Sequence, residues 1–170
     1  MAGQFTMPIT LRRVKINDLL QMQQTNLHCL PENYHLWYWL YHYIIAPQAA
    51  HVAVDSRGKL LGYVLGKTDD EGRNKKPPEP IHGHITSVAV YNGFRKLGIA
   101  TKLLQYTHKT LKECFKTEYV SLNVRETNRA GRLLYEKTLG YKFDHLEERY
   151  YADQENGLLL KYFYDKEVQK

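Results

Sequence analysis

The stretch Arg95-Lys96-Leu97-Gly98-Ile99-Ala100 sets two cations and a glycine where an apolar segment gives way to a helical pattern. Ahead of it, Ile85-Thr86-Ser87-Val88-Ala89-Val90 reads as a strand. Behind it, Ala100, Leu103, Leu104, Thr107, Leu111, Cys114 and Phe115 fall on one face of a helix beginning near Gly98. The first amides of such a helix have no internal partners, its dipole is positive there, and glycine lets a ligand approach the backbone. Those properties suit a diphosphate. Two better-known phosphate loops do not fit. Gly93 and Gly98 have the spacing that opens a P-loop, but Ile99 and Ala100 stand where Lys and Ser/Thr are required. The three-glycine dinucleotide fingerprint is absent too, since only Gly98 falls in place. The competing reading is a basic turn that uses glycine for backbone reasons alone.

His82 and His84 invite a metal reading, because i, i+2 spacing on a strand puts both on one face. No third or fourth ligand is evident nearby, so no metal is expected, and a structural or hydrogen-bonding role is the stronger reading. Cys29 and Cys114 lie far apart on helical patterns, which argues against a disulfide framework and for a reducing, cytoplasmic setting. The formal charge of +6 suits an anionic partner without requiring one. No apolar run approaches the roughly 18 residues of a membrane span, and the N-terminal residues lack a signal-peptide core, so no membrane partner is expected.

The elements that must position these groups follow from periodicity. Residues 1–8 read as an extension and 165–170 as a tail, around one domain over 9–164. A strand is expected at Ile9–Val14. A helix capped by Asn17 follows to about Leu27, burying Leu19, Leu20 and Met22. After the turn Leu30-Pro31-Glu32-Asn33-Tyr34 comes an aromatic helix, His35–Ile45, ended by Pro47. A hairpin pairs 51–54 with 60–67, and 68–80 form a charged loop. A further strand spans Tyr119–Val124. A helix capped by Thr127 or Asn128 runs to Leu139 with Gly140 as its terminator, and strands at 141–145 and 157–164 finish the chain. The order β-α-α-β-β-β-α-β-α-β-β makes an α/β fold, a mixed sheet with helices on both faces.

Arg-x-x-Gly-x-Ala at Arg95–Ala100, between strand and helix, resembles the pyrophosphate motif of the GNAT acyltransferase superfamily, and the element order agrees over about residues 7–164. Five segments further resemble the catalytic subunits of NatA-type N-terminal acetyltransferases. They are Leu30–Tyr34, Gly62-Tyr63-Val64, His82–Ser87, Arg95–Ala100 and Tyr150-Tyr151-Ala152-Asp153, with Asn128-Arg129-Ala130 and Tyr135 in agreement. The resemblance implies acetyl-CoA as cosubstrate, bound where the strand before the motif splays from Tyr119–Val124. Backbone groups of Val88 and Val90 would hold the pantetheine arm with Asn128. Arg95, Lys96, Gly98, Ile99 and Ala100 would surround the diphosphate, mainly through amides. Tyr135 would be the general acid for the leaving thiolate, or else a helix tyrosine packed on the sheet. Glu32 would bind or deprotonate the peptide α-amine or limit its first side chain, or else be a solvated loop carboxylate. Pro31, Tyr34, Tyr150 and Tyr151 would line the peptide site. Arg125 would position Glu32 or face a partner.

One departure matters. Where the family reads Ser-Leu-His-Val-Arg, this chain has Ser121-Leu122-Asn123-Val124-Arg125, and asparagine cannot take a proton as histidine can. A base role would pass to Glu32, a tyrosine or water. An α-amine, with a pKa of about 7.7–8.0, asks little of its base: roughly a tenth is neutral at pH 7. The resemblance also implies nascent-chain substrates, starting with Ser, Ala, Thr or Gly in complex, with acidic starts as the alternative setting of the free subunit. It implies a large helical auxiliary subunit and, through it, the ribosome, without direct sequence-specific nucleic-acid binding. The competing functions are a lysine or small-molecule acetyltransferase on the same fold, and a non-catalytic acetyl-CoA-binding subunit.

Overall fold

The computed structural model describes residues 8–69 and 80–164; the expected extension at 1–8 apart from its last residue, most of the charged loop and the tail at 165–170 lie outside them. Seven strands, β1 (Thr10–Arg13), β2 (Ala50–Val54), β3 (Leu60–Asp69), β4 (His82–Val90), β5 (Tyr119–Arg125), β6 (Lys142–Glu147) and β7 (Gly157–Phe163), form one sheet of order β1-β2-β3-β4-β5-β7-β6. Helices α1 (Leu19–Cys29) and α2 (Leu36–Ile45) follow β1, α3 (Ile99–Phe115) follows β4, and α4 (Arg129–Arg132) follows β5. β4 and β5 pair in parallel over Gly83–Ile85 and Val120–Leu122. The pairs β1/β2, β2/β3, β5/β7 and β6/β7 are antiparallel, so the sheet is mixed. Among the described residues no helix is long and apolar enough to cross a membrane.

Contacts group the chain into two units, Met1–Leu65 with Ser87–Thr107 and Gly66–Thr86 with His108–Lys170. In the first unit the core joins Val14, Leu19, Met22, Trp39, Val52 and Tyr63. β2 is buried throughout, while the sheet-end strand β1 is largely uncovered. α2 buries Trp39 and His42 and leaves Trp37, Tyr41 and Ile44 on the surface, so the aromatic run has one packed and one open face. Trp39 meets Tyr63 of β3 edge-on at 5.3 Å. In the second unit β5 and β7 pair along their length, from Tyr119↔Phe163 to Arg125↔Gly157. β6 is exposed at the other end of the sheet and carries charge at Lys142, Asp144, His145 and Glu147, which disfavours edge-to-edge pairing.

Several sequence expectations need correction. Asn17 is not the cap of the first helix: Ile16–Asp18 form a 3-10 turn, in which the Asp18 carboxylate accepts from the Lys15 backbone N–H at 2.7 Å. Arg12 also grips Asp18 with both terminal nitrogens, at 2.6 and 2.9 Å. Burial alone would push the Asp18 carboxyl up, but these hydrogen bonds outweigh it and hold it below the usual range. Leu20 is exposed, because the buried stripe of α1 runs through Leu19, Met22, Thr25 and Asn26. Cys114 is exposed as well; His108 and Thr110 are buried on α3 instead. Thr68 and Asp69 belong to β3 rather than to the loop. The helix after β5 keeps α geometry only through Arg132 and becomes a π-helix over Leu133–Thr138, closed by Leu139 N–H to the Leu134 carbonyl.

Two buried histidines make stability depend on pH. His108 Nε2 lies 2.6 Å from the Tyr141 hydroxyl, and His51 Nδ1 lies 2.8 Å from Thr107 Oγ1. Burial pushes both imidazoles down from 6.5 to about 4, helped at His51 by the charge of Arg13. The unfolded chain therefore takes up two protons as pH falls from 6.5 towards 4 while the folded chain does not, so stability is lost across that window. The urea midpoint is expected to fall between pH 6.5 and pH 4, and His108→Gln to flatten part of that fall.

Candidate active site

In the first unit the predicted anion loop has the required backbone. Lys96 and Gly98 both adopt left-handed conformations, with φ of +62° and +75°. Residues in that region turn neighbouring amides into a concavity suited to an anion. No atom would meet a Cβ at Gly98, so glycine is required there for conformation and not for space. Lys102 N–H donates to the Gly98 carbonyl at 3.0 Å and opens the α3 ladder. The amides before it are the ones a helix start leaves without internal partners. Arg95 and Lys96 are exposed; Ile99 is buried and Ala100 half-buried. Arg95 Nε reaches back 3.0 Å to the Val90 carbonyl, which Cys29 Sγ also approaches at 3.7 Å. Arg95 thus pins the loop to the end of β4, and amides form the larger part of what the loop offers an anion. Val88 lies half-buried two residues earlier.

The turn carrying Glu32 belongs to the same unit and is tied down by side chains of α1. Gln23 Nε2 donates to the Tyr34 carbonyl at 3.3 Å, and Asn26 Nδ2 donates to the Glu32 carbonyl at 2.8 Å. Asn26, wholly buried, also lies 3.3 Å from the Tyr63 hydroxyl, which in turn lies 2.8 Å from Ser87 Oγ on β4. Burial drives the Tyr63 phenol well above its ordinary range, so it stays neutral. Glu32 is half-buried and Pro31 exposed. Tyr34 stacks on Tyr38 with ring centroids 4.1 Å apart. Burial and then the nearby Glu32 charge raise its phenol.

The second unit holds the remaining predicted residues. Asn128 caps α4, its Oδ1 accepting from Gly131 N–H at 2.9 Å. Tyr135 is buried within the π-helical turn, where burial pushes its phenol up to about 12. The two residues are therefore not separated by two regular α turns. Arg125 has carboxylate partners within its own unit. Its guanidinium binds Asp153 at 2.8 Å and Glu155 at 2.6 Å and lies 4.1 Å from the centre of the Tyr151 ring. It thereby organises the loop that presents Tyr150 and Tyr151, whose rings meet edge-on at 5.0 Å. His82 stacks on Tyr119 at 4.6 Å, and His84 Nδ1 lies 2.9 Å from Ser121 Oγ, so both imidazoles have structural partners. Among the described residues no three His, Cys, Asp or Glu side chains form a metal-binding group.

Two features had escaped the sequence reading. Asn123 Nδ2 donates to the carboxylate of Glu147, at the end of β6. Glu147-Glu148-Arg149 reads in sequence as a solvated charge run, so nothing pointed to it. Gly157 lies directly beneath the Tyr150 ring, where a Cβ would stand 2.9 Å from Tyr150 Cβ and Cγ. A glycine opening an apolar strand was the available signal for such a close approach.

Residues 15–141 match the model of the acetyltransferase (GNAT) family. The chain is 47% identical over 149 residues to the N-terminal acetyltransferase A complex catalytic subunit NAA10 of Arabidopsis thaliana, covering 88% of this chain and 74% of that one. It is 43% identical over 162 residues to the N-terminal acetyltransferase complex ARD1 subunit homolog of Dictyostelium discoideum, covering 95% and 76%. Among solved structures, a chain of the NatB acetyltransferase complex bound to CoA and MES superposes with a TM-score of 0.77 at 29% identity, covering 91% of this chain and 98% of that one. An Arg-x-x-Gly-x-Ala loop in left-handed geometry, a mixed seven-stranded sheet and these relatives agree: the chain belongs to the GNAT acetyltransferases, which use acetyl-CoA, and within them to the N-terminal acetyltransferase catalytic subunits of NatA type.

Proposed function

We propose that this chain transfers acetyl from acetyl-CoA to the α-amine of nascent polypeptides, through a domain spanning about residues 9–164. It takes Ser, Ala, Thr or Gly starts when joined to a large helical auxiliary subunit and acidic starts when free. The observation that carries the reading is the left-handed pair Lys96 and Gly98 at the start of α3, a backbone made for a diphosphate. Arg95, Lys96, Gly98, Ile99 and Ala100 would hold that diphosphate, and Val88, Val90 and Asn128 the pantetheine arm. Pro31, Glu32, Tyr34, Tyr150 and Tyr151 would line the peptide site.

The amine nitrogen attacks the thioester carbonyl carbon, forming the C–N bond as the C–S bond breaks. Glu32 receives or orients the α-ammonium, from a turn held by Asn26 and Gln23. Tyr135 serves the departing thiolate. Its phenol at about 12 lies well above a thiol at about 8.5, so it acts chiefly as a hydrogen-bond donor that stays protonated. The open face of α2, with Trp37, Tyr41 and Ile44, and exposed Leu20 and Leu27 of α1 supply apolar surface for the auxiliary subunit. Cytoplasmic work at the ribosome follows from the same reading.

Acetyl transfer to peptides starting with Ser, Ala, Glu, Asp or Met, and to an α-blocked peptide with an internal lysine, tests the reading. Turnover on Ser/Ala or Glu/Asp starts without modification of the blocked peptide is expected; equal acetylation of the internal lysine would overturn it. Gly98→Ala imposes a left-handed alanine costing about 1–2 kcal/mol. It is expected to weaken CoA binding about fivefold to tenfold by calorimetry, with little change in fold. Tyr63→Phe leaves Asn26 and Ser87 short of a partner and is expected to cost about 1–2 kcal/mol in urea unfolding and to raise the peptide KM.

A further inference from the structure

The Asn123–Glu147 pair occupies the place where the family carries its histidine, and its surroundings form a built corner of the second unit. Directly opposed residues in antiparallel strands project from the same face. Asn123 opposes Leu159, while Arg125 and Glu147 both oppose Gly157 from either side of β7, so all three side chains share one face. Gly157 has no side chain, and the Tyr150 ring fills the space over it. Asn123, Glu147 and Tyr150 therefore lie together on that face: an amide holding a carboxylate, beside an aromatic ring with a hydroxyl. The charged groups around Glu147 are accounted for. His145 Nε2 lies 3.7 Å from Glu147 Oε1, while Asp144 binds His145 Nδ1 at 2.8 Å and Lys161 at 2.9 Å. Arg125, on the same face, is engaged by Asp153 and Glu155.

We propose that Glu147, oriented by Asn123, receives the proton of the substrate α-amine in the role that histidine would fill in the family. The inference rests on the N-terminal acetyltransferase reading. Asn123 cannot accept a proton, but as a neutral donor it fixes the carboxylate and leaves the second oxygen to accept. The ammonium yields one proton to Glu147, directly or through one water. The neutral amine then forms the C–N bond as C–S breaks, its second N–H proton passes to the departing thiolate, and Glu147 releases its own proton to solvent. The Tyr150 ring beside the pair supplies a face for the cation before it is deprotonated. Histidine at position 123 would do the work itself; asparagine passes it one residue outward.

The full-length chain is assayed with Ser- and Glu-starting peptides from pH 5.5 to 9. Glu147→Gln keeps an acceptor for Asn123 but removes the base. It is expected to lower kcat about tenfold to a hundredfold at pH 7, at the low end for general-base catalysis because the amine is already partly neutral, with peptide KM within about twofold. Adding Asn123→His to Glu147→Gln is expected to restore at least tenfold, with the rate now rising through about pH 6.5. A Glu147→Gln rate within twofold of wild type would overturn the inference. So would an equal loss that Asn123→His does not restore while the melting temperature falls, since Glu147 would then be structural. A wild-type chain that binds acetyl-CoA but acetylates no peptide would sink the parent reading, and the inference with it.

Discussion

Three buried side chains and the half-buried carbonyl they reach hold the first unit together where it has work to do. The Glu32 carbonyl, the Asn26 amide, the Tyr63 hydroxyl and the Ser87 hydroxyl form one continuous chain from a proline turn to β4. In a low-dielectric interior each link is strong, and each broken link is costly. The turn therefore cannot drift without stranding buried polar atoms. Trp39 edge-on to Tyr63 closes the chain from the apolar side, so packing and hydrogen bonding enforce the same position. A carboxylate on an unsupported proline loop would be a poor reagent; on this support it has a defined place.

The two units solve the problem of positioning in different ways. The first uses backbone: left-handed residues, a helix start and carbonyls gripped by side-chain amides. The second uses side chains arranged around a glycine and an arginine. Gly157 admits the Tyr150 ring, and Arg125 clamps Asp153, Glu155 and the face of Tyr151. Loops placed on rigid strands in this way carry function in many folds.

Most of the architecture was legible in the sequence, because the order of strands and helices follows from periodicity and punctuation. The helix His35–Ile45, the turn at Asp55–Gly58 and the break at Gly140 all stand within a residue or so of expectation. The anion loop was legible for the same reason, since glycine and its spacing encode backbone conformation directly. What escaped depends on tertiary partners. Nothing near Glu147 announces Asn123, which is 24 residues away and on another strand. The pairing of Arg125 with Asp153 and Glu155 was not foreseen, because those carboxylates sit beyond the next helix and strand. Leu20 and Cys114 show that an apolar residue near a helical stripe need not belong to it.

The π-helical stretch Leu133–Thr138 adds a different lesson. A π turn holds one residue more than an α turn needs, so it behaves as an insertion absorbed without breaking the helix. Each residue of an α-helix advances the side chain by about 100°. Shortening this stretch by one residue would let the helix relax to regular geometry and would swing whatever follows the deletion by that angle. The direction in which Tyr135 looks is thus a matter of chain length. Two sequences with every motif intact could aim this tyrosine differently through a single unit of spacing.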